Sequence, residues 1–347
     1  MSFSHLRARI IPETVNPDYP SYGASEEIIL MKIRKVGVKQ TTADQHPQLQ
    51  FLIGESSCIN ELRTNIAKYA KSDAEVLIHG ETGVGKGLCA HIIHELSSRH
   101  EHPFVSVNCG AIPSGLVASE LFGHTKGAFT GAIHDRTGFV ERANKGTLFL
   151  DEIGDMPPDS QIHLLHFLEN KQIQKLGGDK CLNVDCRIIA ASHVDLKSEV
   201  VRGNFREDLF YRLNILPLSV PPVRRRGHDI LLLAQHFLNQ LQNGEEFEIS
   251  KKAEDKLMAH SWPGNVRELR NVIQRAIVMS EDGTILEADL GLNSKDREIL
   301  PNSEQIDLEF LLQAIEDNKH NMSAAARQLG ISRTTLYRLI KKYNLHV

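Results

Sequence analysis

Residues 74–87 read AEVLIHGETGVGKG, and this stretch decides what kind of fold the chain adopts. The run AEVLIH is short and apolar, as a strand buried on both faces requires. It passes without a spacer into Gly80 to Gly87, which fits the spacing G-x-x-x-x-G-K. Glycines there let backbone N–H groups turn inward around phosphate oxygens. The N-terminus of the next helix favours negative charge, and Lys86 can reach the β- and γ-phosphates. Gly80, Glu81, Thr82, Gly83, Val84, Gly85, Lys86 and Gly87 are therefore the candidate phosphate cradle. Gly87 stands where such loops usually carry a Ser or Thr that touches magnesium, so magnesium would be held by other groups or through water.

Outward from this stretch, four more apolar runs alternate with helical segments: FVSVN (104–108), TLFLDE (147–152), RIIAAS (187–192) and NILPLSV (214–220). That alternation predicts an α/β domain with a parallel sheet covered on both faces, whose ligands bind at the carboxyl ends of the strands. TLFLDE ends in two carboxylates. Beside a phosphate loop, Asp151 is placed to hold magnesium and Glu152 to orient and deprotonate an attacking water. Gly146, just ahead of this run, is counted with the nucleotide site. In RGNFREDLFYRLN (202–214), Arg206 and Arg212 lie six residues apart and would not share a helix face closely. An arginine supplied by a neighbouring chain would make activity depend on assembly, and a head-to-tail contact that closes would give a ring.

The whole chain has 347 residues, 41% of them hydrophobic and 24% charged, which suggests two or three ordinary globular domains and excludes a disordered protein. No apolar run approaches the length of a membrane span, and MSFSHLRARIIPETVN lacks the apolar centre of a signal peptide, so a cytoplasmic location is expected. Five cysteines without CxxC spacing point to reduced thiols rather than disulfides or a zinc site. Charge is uneven. From Asn318 to Val347 there is a net +6 with no acid, which leaves −10 on the rest of a chain whose total is −4. An acidic body with a basic end suggests contact with nucleic acid.

After VPPVRRRGHDI the strand pattern stops, and residues 230–280 read as helices broken at WPGN (262–265), a smaller helical subdomain. A run at 27–38 looks strand-like but carries no recognisable site. Near the C-terminus, NMSAAARQLGISRTTLYRLIKKYNL buries Ala325 and Leu329, turns at Gly330, and caps a second helix with Ser332. Leu336, Leu339 and Ile340 form the buried stripe of that helix. Arg333, Thr334 and Tyr337 are then candidates for base edges, and Arg338, Lys341 and Lys342 for phosphate, in a helix-turn-helix that binds a palindrome as a dimer. Ser332 and Thr335 complete the candidate DNA-contacting set.

The motifs GETGVGK, ELFGHTKGAFTGA (120–132), GTLFLDEIGDM, FREDLFYRLN and WPGNVREL occur in an order and spacing that resemble the sigma-54-dependent transcriptional activators, also called bacterial enhancer-binding proteins, of the AAA+ class. The resemblance implies a segment of unassigned role at 1–51, an AAA+ domain at 52–281 with its helical lid from about 225, a linker at 282–305, and an all-α Fis-like helix-turn-helix at 306–347. It implies ATP on Lys86 and its loop, and Asp151 with Glu152 as the Walker B pair. Asn108 would restrain Glu152, Arg206 and Arg212 would be fingers acting in trans, and Arg267 would be the lid arginine that senses the γ-phosphate. It implies sigma-54 and RNA polymerase as partners, upstream double-stranded DNA, and self-association to dimers and a ring, usually a hexamer.

GAFTGA itself, Gly127, Ala128, Phe129, Thr130, Gly131 and Ala132, is an unusual aromatic and threonine flanked by nothing larger than alanine. A core plug is the ordinary reading of such a phenylalanine. By the resemblance it is the loop that touches sigma-54. Three departures stand out. Relatives commonly carry Glu where Gly87 stands, and Thr-Asn is frequent where Ser192-His193 stands. About 50 residues ahead of the ATPase are too few for a receiver domain, so control is expected from a partner, or the sensor has been lost or removed. The alternative is a DNA-binding repressor, or an activator at other promoters, with a weak or inactive ATPase. A protein unfoldase or helicase loader fits less well, because neither needs GAFTGA.

Overall fold

A computed structural model of the chain describes residues 46–241, 247–280 and 282–292, together with Asn318, Met322 and Leu336. The expected strand at 27–38 and the helix-turn-helix lie outside the described residues, apart from those last three.

Five strands form one parallel sheet: β1 (Val76–His79), β2 (Phe104–Asn108), β3 (Thr147–Asp151), β6 (Arg187–Ser192) and β7 (Leu216–Ser219). They are ordered β2-β3-β6-β1-β7, and they are the five apolar runs of the sequence. Two three-residue strands, β4 (Gln172–Gln174) and β5 (Cys181–Asn183), make a separate antiparallel hairpin, which the apolar pattern does not announce.

Alternation along each strand divides the core. Val76, Ile78, Phe149, Ile189, Ala191 and Leu218 pack on one face under α1 (Ser57–Tyr69) and α2 (Lys86–Glu95). Leu77, Val105, Val107, Leu148, Leu150, Ile188 and Ala190 point to the other. There they meet α3 (Val117–Phe122), α4 (Phe139–Arg142), α5 (Pro158–Asn170), α6 (Leu196–Val201) and α7 (Glu207–Leu213). Every residue of β6 is buried, as a central strand covered on both faces must be. Strand period and burial thus agree residue by residue.

The lid has its own core. Helices α8 (Asp229–Leu241), α9 (Lys251–Ala259) and α10 (Asn265–Met279) enclose Leu233, Phe237, Leu257, Leu269 and Ile273 around a fully buried Trp262, with β8 (Glu248–Ile249) and β9 (Thr284–Ile285) at the side. WPGN breaks the helices as expected. α9 ends at an extended His260, and Trp262 in the connection and Asn265 at the start of α10 take left-handed φ of 54° and 52°. Among the described residues no helix is long and apolar enough to cross a membrane. All five cysteines are free, and no cluster of metal-ligating side chains is found among the described residues.

Candidate functional site

The phosphate loop leaves the carboxyl end of β1, whose neighbours on either side are β6 and β7. Gly83 and Gly85 have φ of 80° and 102°, conformations that only glycine takes cheaply. A Cβ at Gly83 would also stand 2.4 Å from Gly264 O of the lid. Gly85 caps α2 without any side-chain bond, and the first turn of α2 holds no acidic residue. The first amides of α2, like those of any helix, have no intrahelical acceptors and form its positive end, and with no side chain capping them they suit phosphate oxygens. Lys86 is only 6% exposed. Its Nζ donates to Gly80 O at 3.0 Å and lies 3.6 Å from Glu152 Oε1.

Asp151 closes β3, and its Oδ1 accepts from Glu152 N–H at 3.0 Å. Glu152 lies just outside the strand with φ 51° and ψ 50°, strain of the kind stored at functional sites. Its Oε2 accepts from His193 N–H at 3.3 Å and pairs with His193 Nδ1. Asn108 stands beside Asp151 in the parallel ladder, but its Oδ1 accepts from Ala111 N–H at 3.1 Å and so caps its own turn. His193 and Lys86, rather than the expected Asn108, hold the Glu152 carboxylate here. Gly146 is also corrected. It precedes the first residue of β3, at the opposite end of the strand from Asp151, where a Cβ would fall 1.9 Å from Pro103 O. Close packing against that backbone, not nucleotide, requires the glycine. The hard oxygen donors of Asp151, at the end of β3 next to the loop, suit magnesium.

The lid closes over the loop through contacts that no local motif reveals. Arg224 grips Glu81 with both terminal guanidinium nitrogens, Nη1 donating to Oε2 at 2.7 Å and Nη2 to Oε1. That grip holds the Glu81 carboxyl below its usual range, partly opposed by burial. Asn265 is fully buried; its Nδ2 donates to Glu81 Oε2 at 3.0 Å and to Thr82 O at 3.1 Å, while its Oδ1 accepts from Val223 N–H. Val266 and Arg267 both donate backbone N–H to Gly83 O. A groove lined by Thr82, Gly264, Arg267, Asn271 and Arg275 runs along this junction. On the far side of the loop, Asp229 at the start of α8 accepts from Glu55 and Ser56 N–H and from Ser56 Oγ, fixing the entry to α1.

GAFTGA forms the tip of a hairpin. Gly127 N–H donates to Ala132 O, Ala132 N–H donates to Phe129 O, and Gly127 and Gly131 take φ of 84° and 106°. Thr130 is exposed and Phe129 half-buried, its ring edge-on to His124 at 5.0 Å. Phe129 is therefore not a core plug. The hairpin is tied to the β4–β5 turn by Thr125 N–H to Leu176 O and Leu176 N–H to Gly123 O. Ala128 touches the turn so closely that a Cβ on Gly177 would stand 2.7 Å from Ala128 Cβ.

Residues 52–219 match the model of the sigma-54 interaction domain, residues 224–305 that of the AAA+ ATPase lid domain, and residues 303–343 that of bacterial regulatory proteins of the Fis family. The response regulator protein PilR of Pseudomonas aeruginosa is 42% identical over 336 residues, an alignment covering 92% of this chain and 75% of PilR. The chain belongs to the sigma-54-dependent transcriptional activators. Another relative, the transcriptional regulatory protein ZraR of Salmonella typhimurium, is 41% identical over 344 residues, covering 95% of this chain and 77% of ZraR. The structure of NtrX from Brucella abortus in complex with ATP superposes with a TM-score of 0.66 at 33% identity, over 85% of this chain and 70% of that one.

This activator is thus an AAA+ ATPase with a Fis-type DNA-binding region. Its two finger candidates sit apart. Arg206 is the N-cap of α7 and exposed, paired with Asp208 at 2.7 and 3.0 Å, whereas Arg212 in the last turn donates to Leu168 O. Neither contacts the phosphate loop among the described residues. His163 and His166 are exposed on α5, as solvated helix residues. Ser332, Arg333, Thr334, Thr335, Tyr337, Arg338 and Lys341 lie outside the described residues.

Proposed function

We propose that the activator binds DNA upstream of a promoter through residues 306–347, assembles head to tail into a ring, and couples ATP hydrolysis to remodelling of the closed complex of sigma-54 RNA polymerase. The GAFTGA hairpin would make the contact with sigma-54. The observation that carries this reading is the exposed Thr130 at the tip of a glycine-bounded hairpin, in the same domain as the phosphate loop and the Asp151-Glu152 pair.

Within the site, the loop amides and Lys86 bind the phosphates, and Glu152 takes the proton of the attacking water on a carboxylate oxygen. Asp151 would hold the magnesium ion that offsets phosphate charge. Arg267 reaches the γ-phosphate from the lid. Arg206 and Arg212 of a neighbouring copy add positive charge as the phosphoryl group transfers, an effect worth about 10³ to 10⁵ in rate where such fingers operate. Loss of the γ-phosphate then biases a hairpin with two resting positions, raised and lowered.

Deletion of Thr130 is expected to abolish binding to sigma-54 in the presence of a transition-state mimic of ATP hydrolysis, measured by gel filtration of the mixture. Persistent binding by the deletion variant would remove the hairpin from the mechanism.

A further inference from the structure

The phosphate loop and the lid are joined by side chains whose partners lie far apart in sequence. Glu81 is the second residue of the loop, Arg224 stands at the entrance to the lid, and Asn265 begins α10, the helix that carries Arg267. We infer that Glu81, Arg224 and Asn265 form a latch that sets the register of Arg267 over the phosphate loop, so that Arg224 and Asn265 are positioning residues for recognition of the γ-phosphate. The inference deepens the proposed role of Arg267 and rests on it.

Three observations support the latch. The first is its connectivity: Glu81 receives two bonds from Arg224 and one from Asn265, and Asn265 also holds Thr82 O and Val223 N–H. The second is its fixed backbone. Asn265 is fully buried at φ 52°, a left-handed conformation that asparagine tolerates and that its side-chain bonds to Glu81, Thr82 and Val223 hold in place. The third lies in the next two residues of the chain. Val266 and Arg267 donate N–H groups to Gly83 O at 3.0 and 3.3 Å, and Arg267 Cβ lies 3.2 Å from where a Cβ of Gly83 would be. The lid helix therefore starts on the phosphate loop itself, with no flexible turn between Asn265 and Arg267. Arg226, buried behind this contact, adds a bond to Val84 O at 3.0 Å, so four consecutive loop residues, Glu81 to Val84, are tied to the lid segment.

A half-exposed ion pair alone is worth little. Here the pair orients Glu81 for a buried amide, and the expected consequence is selectivity rather than stability. ADP needs the loop but not Arg267, whereas ATP needs both. In the full chain, Arg224→Gln is expected to weaken binding of a non-hydrolysable ATP analogue about fivefold relative to ADP, with ADP affinity and Tm unchanged. Arg267→Ala should lower the same ratio at least as far. Because the latch acts through Arg267, adding Arg224→Gln to Arg267→Ala should change the ratio no further, and Arg224→Lys should restore part of it. If Arg267→Ala lowers the ratio and Arg224→Gln does not, or lowers ATP and ADP affinity together, the latch is wrong while the reading of Arg267 stands. If Arg267→Ala leaves the ratio untouched, that reading falls and the latch falls with it. Should Arg224→Gln fail to fold, Arg224→Lys alone carries the comparison, a ratio equal to wild type overturning the latch.

Discussion

At the scale of single residues, the least visible feature of the sequence is His94. On α2 it reads as one more polar helix position, yet it is 2% exposed, with Nδ1 2.9 Å from Thr147 Oγ1 across the sheet face. Burial, helped by the nearby charges of His91 and His100, pushes its pKa down to about 4. The unfolded chain takes up this proton near the ordinary value of 6.5 and the folded chain only near 4. Between those values the unfolded state binds more protons, so folding weakens as pH falls. The contribution is fully present above about pH 6.5 and declines progressively to pH 4, by roughly 3 kcal/mol across the window. Urea midpoints measured between pH 7 and 4.5 should therefore fall more steeply for the wild type than for His94→Gln. Parallel slopes would show that His94 takes up its proton at the same pH in the folded and unfolded chain. Other decisive residues are illegible for a related reason. Arg224 and Asp229 look like ordinary loop and helix-start residues, and although Ser192-His193 and WPGN stand out in the sequence, the partners of His193 and Asn265 do not, because all four partners lie far off in the chain. His193 meets Glu152 across 41 positions, Arg224 meets Glu81 across 143, Asn265 meets Glu81 across 184, and Asp229 meets Glu55 across 174. Gly80 to Lys86 and Asp151-Glu152 are readable for the opposite reason. Their chemistry is set by neighbours in the chain, and strand or loop placement alone gives them their direction.

Among elements, the five sheet strands are legible because each is an apolar run whose alternate side chains must fill two cores. The β4–β5 hairpin is not, since QIQ and CLN carry no apolar run and pair only with each other. This hairpin nevertheless seats GAFTGA. Gly177 at its turn has φ 72° and leaves no room for a methyl group beside Ala128. Gly177→Ala would combine left-handed strain of about 1–2 kcal/mol with a direct clash, so the two hairpins must part. Separation of the pair is expected to weaken sigma-54 binding about tenfold, a coupling energy ordinary for linked sites. ATP affinity, set at the carboxyl edge of the sheet, should stay within about twofold. Equilibrium titrations with labelled sigma-54 and with ATP analogue check both halves, and unchanged sigma-54 affinity would mean that the β4–β5 turn does not support the GAFTGA tip.

For the whole molecule, the decisive question is whether one chain completes the reaction. Arg206 pairs with Asp208 on the surface, and its backbone N–H binds Gln161 Oε1. Glu152 instead faces Lys86 and His193 at the sheet edge. If a neighbour supplies the arginine, the base and the finger of each working site belong to different copies. Arg206→Ala and Glu152→Gln should then each lose ATPase activity alone, while mixing them should restore it. In a mixture of equal parts, a working interface needs an Arg206→Ala copy, which keeps Glu152, beside a Glu152→Gln copy, which keeps Arg206. Random assembly in one orientation gives that arrangement at about a quarter of the interfaces. Recovered turnover near that fraction, rising with total concentration, would establish a site shared between copies. A mixture as inactive as its components would place both groups on one chain and leave the ring without a catalytic role.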